Sequence, residues 1–309
     1  MRRIIIIQVL VLFIAGCMVG PDYRRPTVDT PQNWRLQEQE TLELADTPWW
    51  EQFDDPVLDD LIRIGLAENK DVKVAATRIE QFVGQYITTR AALFPQAGAG
   101  ASFGRERATE RGPSPMTSSV ENPADSYQAL FSASWEIDLW GKLRRAKESA
   151  RADILSSEEA RRGVILSLVS SIAAGYINLR DLDRQLEIAQ TTVTSREESY
   201  KIFQLRFKCG IVSELELSQV KSQYEEALAT IPVFQKSIAQ QENALSLLLG
   251  RNPGPIPRGK TVDQLTLPQV PAGLPSDLLA RRPDIRQAEQ NLISANAQIG
   301  VAKAQYFPT

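Results

Sequence analysis

Histidine is absent from all 309 residues, which removes imidazole as a general base and every zinc site with a histidine ligand. Only two cysteines are present. Cys17 and Cys209 stand far apart and cannot make a thiolate metal site. Cys209 has no cationic neighbour beyond Lys208 to activate its thiol, and reads as incidental. Glu136 and Asp138 have the residue types for glycoside cleavage. Their spacing, however, puts both on one face of a strand, where lining a lumen is the simpler role. Gly98, Gly100 and Gly104 lack the spacing of a dinucleotide fingerprint, and no Lys-Ser/Thr follows them. A net charge of −3 gives no electrostatic reason to expect nucleic acid. The reading is a protein without catalysis and without a bound cofactor.

The chemistry that remains belongs to Cys17. Met1-Arg2-Arg3 is a basic start, and Ile4 to Ile14 is an apolar run interrupted only by Gln8. It is too short to span a membrane, which takes about 20 residues, and fits the apolar region of an export signal. The following IAGC resembles the lipobox of bacterial lipoproteins, with Ile14 in place of the more usual leucine. In that pattern Cys17 becomes the amino terminus and carries acyl chains; two or more chains anchor stably where one does not. Met18 stands where an inner-membrane retention signal has Asp, which favours the outer membrane. Residues 1–16 are thus read as signal peptide, and 17–55 as a lipid-anchored extended tether rich in proline near its start.

Everything else is organised around residues 142–207, which contain no proline and as one helix would span about 100 Å. Leu168, Ile172, Tyr176, Leu179, Leu182, Leu186, Ala189, Val193, Tyr200, Phe203 and Phe207 recur at spacings of three, four or seven. That stripe predicts a helix lying against partner helices. Gly210 suits the position just past its end. Ser213, three residues before Glu216, predicts a capping box for a return helix over 214–249, bent at Pro232. The tip between the two helices is Gly210-Ile211-Val212-Ser213.

Upstream, Asp55-Pro56 predicts a helix start, with an apolar face running on to Leu93 before Phe94-Pro95. The period then changes to two. Ala97, Ala99, Ala101 and Phe103 share one face of a strand over 96–107; Tyr127, Ala129, Phe131, Ala133, Trp135, Ile137 and Leu139 share one face of a second over 127–139. Both have the length of a tilted membrane strand. Two strands cannot close a barrel, and an open edge is not tolerated in lipid, so further strands must come from other copies or partners.

Residues 251–275, with six prolines and three glycines, read as a connector. The segment after this connector repeats one that precedes the strands. Asp71, Val72, Ala75, Ile79, Gln85, Arg90, Ala91, Phe94 and Pro95 correspond to Asp284, Ile285, Ala288, Leu292, Gln298, Lys303, Ala304, Phe307 and Pro308 at a constant offset of 213. The expected organisation is a first structural repeat over 56–250, the connector, and the start of a second repeat over 276–309.

Five strings carry a resemblance: IAGC with VGPDYRRP (Val19 to Pro26), WWEQFDDPVLDDLI (Trp49 to Ile62), SWEIDLWGKL (Ser134 to Leu143), GIVSELEL (Gly210 to Leu217) and LLARRPDIRQAEQNLISANAQIGVAKAQYFP (Leu278 to Pro308). Together they run through the whole chain, which resembles the TolC-like outer-membrane efflux proteins, in the lipoprotein branch that works with resistance-nodulation-division pumps. Glu216 stands where that family usually has Asp. The fold implied is mainly α with a β-strand pair: long antiparallel helical hairpins of a trimeric periplasmic α-barrel, plus strands of a shared outer-membrane β-barrel. The resemblance further implies a homotrimer in the outer membrane. Its partners would be a periplasmic adaptor protein, met at the tip by Gly210, Ile211, Val212 and Ser213, and an inner-membrane pump that supplies the energy.

The function expected is a passive exit duct for drugs or other small molecules, with no cofactor other than the covalent lipid on Cys17. A periplasmic lipoprotein adaptor also has a helical hairpin, but short strand-rich segments should flank it, and here helices flank the strands. A non-functional remnant is the other alternative. By the repeat logic the second half is cut at Thr309, so three copies would bring six strands rather than twelve and make no normal tunnel.

Overall fold

Asp55 accepts a hydrogen bond from the Val57 amide at 2.9 Å, and Pro56 fills the first helical position, so helix α1 (Pro56–Glu68) starts where a carboxylate cap and a proline coincide. The structure, a computed structural model, describes residues 18–28, 48–107, 123–267 and 277–308. Leu58, Leu61 and Ile62 of α1 are buried. The continuous helix expected up to Leu93 does not form. Asn69 ends α1 and opens α2 (Lys70–Ala91): its side-chain oxygen accepts from the Asp71 and Val72 amides at 2.8 and 3.1 Å, while its NH2 group donates to the Leu248 carbonyl at 2.9 Å. Asparagine competes for backbone groups in this way and favours caps over helix interiors. The apolar pattern runs through the break and conceals it.

Strands β1 (Gln96–Glu106) and β2 (Ala124–Ser134) pair antiparallel, Gln96 opposite Ser134 and Glu106 opposite Ala124. The second strand therefore lies earlier than the 127–139 expected. Pro95 precedes the first paired residue of β1, so the ladder has no partner for anything after Ser134. The alternation through Trp135, Ile137 and Leu139 continues in sequence without a strand beneath it. This also corrects the reading of Glu136 and Asp138 as lumen-facing strand residues. Glu136 pairs with Lys142 at 2.6 Å, and Asp138 accepts from the Arg144 amide at 2.9 Å and from its Nε at 3.3 Å, capping the next helix.

That helix, α3 (Lys142–Lys208), is continuous over 67 residues, and α4 (Glu214–Leu248) over 35, passing through Pro232. A short helix α5 (Asp277–Arg281) leads into α6 (Pro283–Ala304). Helices α2 and α6 are each 22 residues long and stand 213 apart at both ends, the offset of the sequence repeat.

The described residues fall into two compact units. One contains residues 18–26, 80–107, 123–155 and 289–308, and includes the strand pair. The other contains 27–28, 48–79, 156–267 and 277–288. In this second unit Leu58, Ile62, Ile172, Leu179, Leu245 and Leu249 are almost completely buried in one cluster, each stabilising it by about 1.5–3 kcal/mol. Tyr176 closes the cluster with a polar clasp. Its hydroxyl donates to the Asp55 carboxylate at 2.8 Å and accepts from the Gly259 amide at 2.9 Å, and the Lys260 amide reaches the same carboxylate at 3.0 Å. Burial, reinforced by Asp55, pushes the Tyr176 phenol up to about 12.

Candidate functional site

Three features of the chain face outward with a defined geometry. The first is the strand pair. Its register sets Ala97 opposite Ala133, Ala99 opposite Phe131, Ala101 opposite Ala129 and Phe103 opposite Tyr127, so the two apolar faces read from the sequence are one face. Phe103 and Tyr127 rings lie 5.0 Å apart. The opposite face pairs Gly98 with Ser132, Ser102 with Gln128 and Gly104 with Ser126. Among the described residues nothing covers either face: Phe131 is 84% exposed. Such a ribbon, 11 residues per strand, apolar on one side and mostly polar on the other, has the form of a barrel segment between lipid and lumen. An isolated hairpin is marginal in water.

The second feature is the tip. The Gly210 amide bonds to the Phe207 carbonyl at 2.9 Å and the Ile211 amide to the Arg206 carbonyl at 2.9 Å, a Schellman closure of α3 that needs the left-handed φ of 68° at Gly210. Ser213 then opens α4 through a reciprocal box. Its Oγ accepts from the Glu216 amide at 3.3 Å, and its own amide donates to the Glu216 carboxylate at 2.7 Å. The Ser213 amide, joined by the Ser213 hydroxyl donating at 2.9 Å, holds the Glu216 carboxyl below the usual glutamate range. Both helix ends are thus satisfied locally, and the turn needs no other element to hold its shape. Ile211 is 72% exposed at its apex, with Leu205 and Leu215 exposed beside it. Further up, Tyr200 stacks on Tyr224 at 5.9 Å and Arg196 bonds Gln223 at 2.9 Å, keeping α3 and α4 together.

The third feature is the segment 18–26. Cys17 lies outside the described residues, but the chain just after it is docked as a strap. The Val19 amide donates to the Trp140 carbonyl at 3.0 Å, and Asn296 donates to the Pro21 carbonyl at 2.9 Å. Arg145, buried at the start of α3, reaches Asp22 at 2.6 Å and Glu148 at 2.8 Å. Arg25 pairs with Glu289 on α6 at 2.9 Å. Extended conformation was legible from the prolines; docking was not. The signal for it lay in a buried cation, Arg145, three residues after Lys142 and far in sequence from its partner.

A family model described as outer membrane efflux protein matches residues 61–251, from within α1 to just past the end of α4. The chain belongs to the outer membrane efflux protein family. It is 34% identical to the toluene efflux pump outer membrane protein TtgC of Pseudomonas putida, over 100% of this chain and 65% of that protein. Identity to the cation efflux system protein CusC of Escherichia coli O6:H1 is also 34%, over 96% of this chain and 64% of that protein. Among solved structures, the open state of the Neisseria gonorrhoeae MtrE outer membrane channel is similar with a TM-score of 0.80 and 30% identity, covering 94% of this chain and 64% of that one. The chain therefore spans just under two thirds of the length of these relatives.

Family membership gives the outer membrane as the location, and accounts for the fold: long helical hairpins for a helical barrel, strands for a membrane β-barrel. In this outer membrane efflux protein the strand pair is the barrel contribution, and α3 with α4 the helical one. The carboxylates of Glu136 and Asp138, whose residue types suggested glycoside cleavage, are both committed to cations at the start of α3.

Proposed function

We propose that the chain acts as the outer-membrane channel component of a tripartite efflux pump, a passive exit duct for drugs or other small molecules across the periplasm and outer membrane. The observation that carries this is the bare strand pair. Eleven-residue strands with both faces exposed, and no third strand among the described residues, are stable in lipid only inside a closed barrel. That requirement supports a homotrimer, with each copy contributing strands to one barrel and helices to one tunnel. Efflux relatives that match nearly the whole chain support the same reading.

The remaining parts take their roles from this arrangement. Cys17 carries acyl chains that anchor the start of the strap in the outer membrane, and this covalent lipid is the sole added group. The protein is not an enzyme, and transport energy comes from an inner-membrane resistance-nodulation-division pump. Gly210, Ile211, Val212 and Ser213 meet a periplasmic adaptor, a role supported by an apolar apex whose hydrogen bonds are all internal to the turn.

Accumulation of a fluorescent pump substrate tests the proposal in an efflux-deficient host that carries a matched pump and adaptor. Expression of a two-repeat protein that contains this sequence as its first repeat is expected to lower accumulation. Unchanged accumulation, with the protein present in the outer-membrane fraction, overturns the duct reading.

A further inference from the structure

The connector that follows α4 is docked across the base of the long hairpin. Ile256 is buried in the cluster of the second unit, and its amide donates to Glu242 Oε1 of α4 at 3.2 Å. Two residues on, the Arg258 guanidinium joins both long helices. Its Nε and Nη2 donate to the two carboxylate oxygens of Asp183 on α3 at 3.0 and 3.3 Å, and its Nη1 donates to Glu242 Oε1 and to the Ile256 carbonyl. Arg180, buried on α3, donates to the same Asp183 carboxylate at 2.6 Å and to the Lys260 carbonyl at 2.8 Å.

This crossing coincides with the end of the core. Ile172, Tyr176 and Leu179 are buried just before it on α3, and Leu245 just after it on α4. Of the described residues from 183 to 242, only Ala189 is buried. The hairpin beyond the crossing is therefore an arm of two helices about 36 Å long, tied by the Tyr200–Tyr224 stack and the Arg196–Gln223 bond. An element with so few buried apolar contacts lies at the low-stability end of a fold. The turn at its far end fixes its own shape through reciprocal caps, so only its place is left for the base to decide.

We propose that Arg258 is a positioning residue: a staple that sets the splay of α3 and α4 where they leave the core, and thereby the place at which residues 210–213 are presented to the adaptor. The inference rests on the reading of the tip as the adaptor contact, and names what aims it. A planar guanidinium fork holds a carboxylate in one orientation, which a lysine ammonium does not. The staple is carried from the core side, because Ile256 beside it is buried, whereas both carboxylates that it grips belong to the base of the arm. Length then amplifies any error: a change in splay of about 5° moves the tip by ~3 Å.

Pulsed electron spin resonance on the full chain tests this with no adaptor in the sample. In a Cys17→Ser background, one spin label is placed on Cys209, exposed beside the tip, and one on Arg63→Cys, an exposed position of α1 in the same unit. Dilution with unlabelled protein restricts the signal to distances within one chain. Arg258→Lys keeps the charge and loses the fork, and is expected to shift the mean distance by about 3 Å or to broaden its distribution correspondingly. Glu242→Gln weakens the α4 leg alone and should give a smaller change of the same kind, which keeps the test open if the first variant folds poorly. Ile256→Val trims the core contact and leaves the fork in place; it should lower the melting temperature and leave the distance unchanged. Distances equal to wild type in both staple variants, or matched by Ile256→Val, overturn the staple and leave the adaptor reading standing. Efflux unchanged by Ile211→Asp in the accumulation assay overturns the adaptor reading itself, whatever the distances show.

Discussion

Helices α2 and α6 share a sequence pattern, a length and a repeat offset, yet they meet opposite fates. On α6, Ser294, Ala297, Gly300 and Ala304 are buried. Their counterparts 213 residues earlier are Gln81, Gly84, Ile87 and Ala91, and all four are exposed. What covers α6 is the strap and the beginning of α3. Ser149 and Ser294 hydroxyls bond at 2.9 Å, Gln298 donates to Ser149 at 3.1 Å, and Gly20 and Gly300 backbones touch. Periodicity thus tells where a helix has a face, and small residues tell which copy of that face is approached closely. Isoleucine at 87 and glycine at 300 mark the difference at one position.

That position gives the largest expected effect. A Cβ at Gly300 would lie 2.8 Å from Cγ of Arg145 and 2.9 Å from the Val19 carbonyl oxygen, so Gly300→Ile must push strap backbone away. A cost of about 1–3 kcal/mol or more is expected. The mirror change Ile87→Gly removes a side chain that is 60% exposed, and should cost about 0.5–1 kcal/mol through helix propensity alone. Urea denaturation of the two variants measures both. Equal losses would show that the close approach seen on α6 carries no energy, and the comparison would fail.

Arg145→Ala comes next. Asp22 is well exposed, so the ion pair itself contributes little, about 0–1 kcal/mol. The loss of a buried side chain that touches the strap adds to this. The expected readout is local: trypsin should cut after Arg24 several-fold faster, the Arg25–Pro26 bond being resistant, while cleavage within α2 stays unchanged. A smaller effect is expected for Ser294→Ala, which removes one buried hydroxyl pair and should cost about 1 kcal/mol, against about 0.5 kcal/mol or less for the exposed counterpart Gln81→Ala. A thermal-unfolding difference that vanishes between these two would mean that the repeat's two faces are equivalent after all.

Local signals made much of this fold legible from sequence. Gly210, Ser213 and Glu216 specify their turn through backbone conformation and reciprocal capping, which depend on nothing distant. The alternation in Ala97–Phe103 and Tyr127–Ala133 gave the shared face because a strand's period survives any register. The end of β2 was not legible, since alternation continues past Ser134 and only Pro95, on the other strand, decides where pairing stops. Asn69 was missed because the apolar stripe runs through it and its deciding partner, the Leu248 carbonyl, is remote. The clasp of Tyr176, Asp55 and Gly259 joins three segments, and Tyr176 read only as one more apolar position in a stripe. Cys17 remains a reading of the sequence, outside the described residues.

The finest distinction between the two helices is a titration. Tyr23 on the strap donates to Glu289 of α6 at 3.4 Å, and Arg25 pairs with the same carboxylate. Burial first, and then the Glu289 charge, hold the Tyr23 phenol above its ordinary value of about 10. A docked phenol that binds its proton more tightly than a free one adds to strap docking below the ordinary tyrosine pKa. Between that value and the raised one, the undocked strap loses its proton first, so docking weakens as pH climbs through the window. Absorbance of phenolate, taken as the difference between wild type and Tyr23→Phe, should titrate above pH ~10. Alkaline loosening of the strap, followed by hydrogen exchange of residues 18–26 corrected for the intrinsic rate, should be shallower in Tyr23→Phe. The exposed face of α2, which no strap covers, should show no matching step in either protein. If Tyr23 titrates as a free phenol, it adds nothing to docking, the strap is held by Arg145, Trp140, Asn296 and Arg25, and the contrast between α2 and α6 loses its dependence on pH.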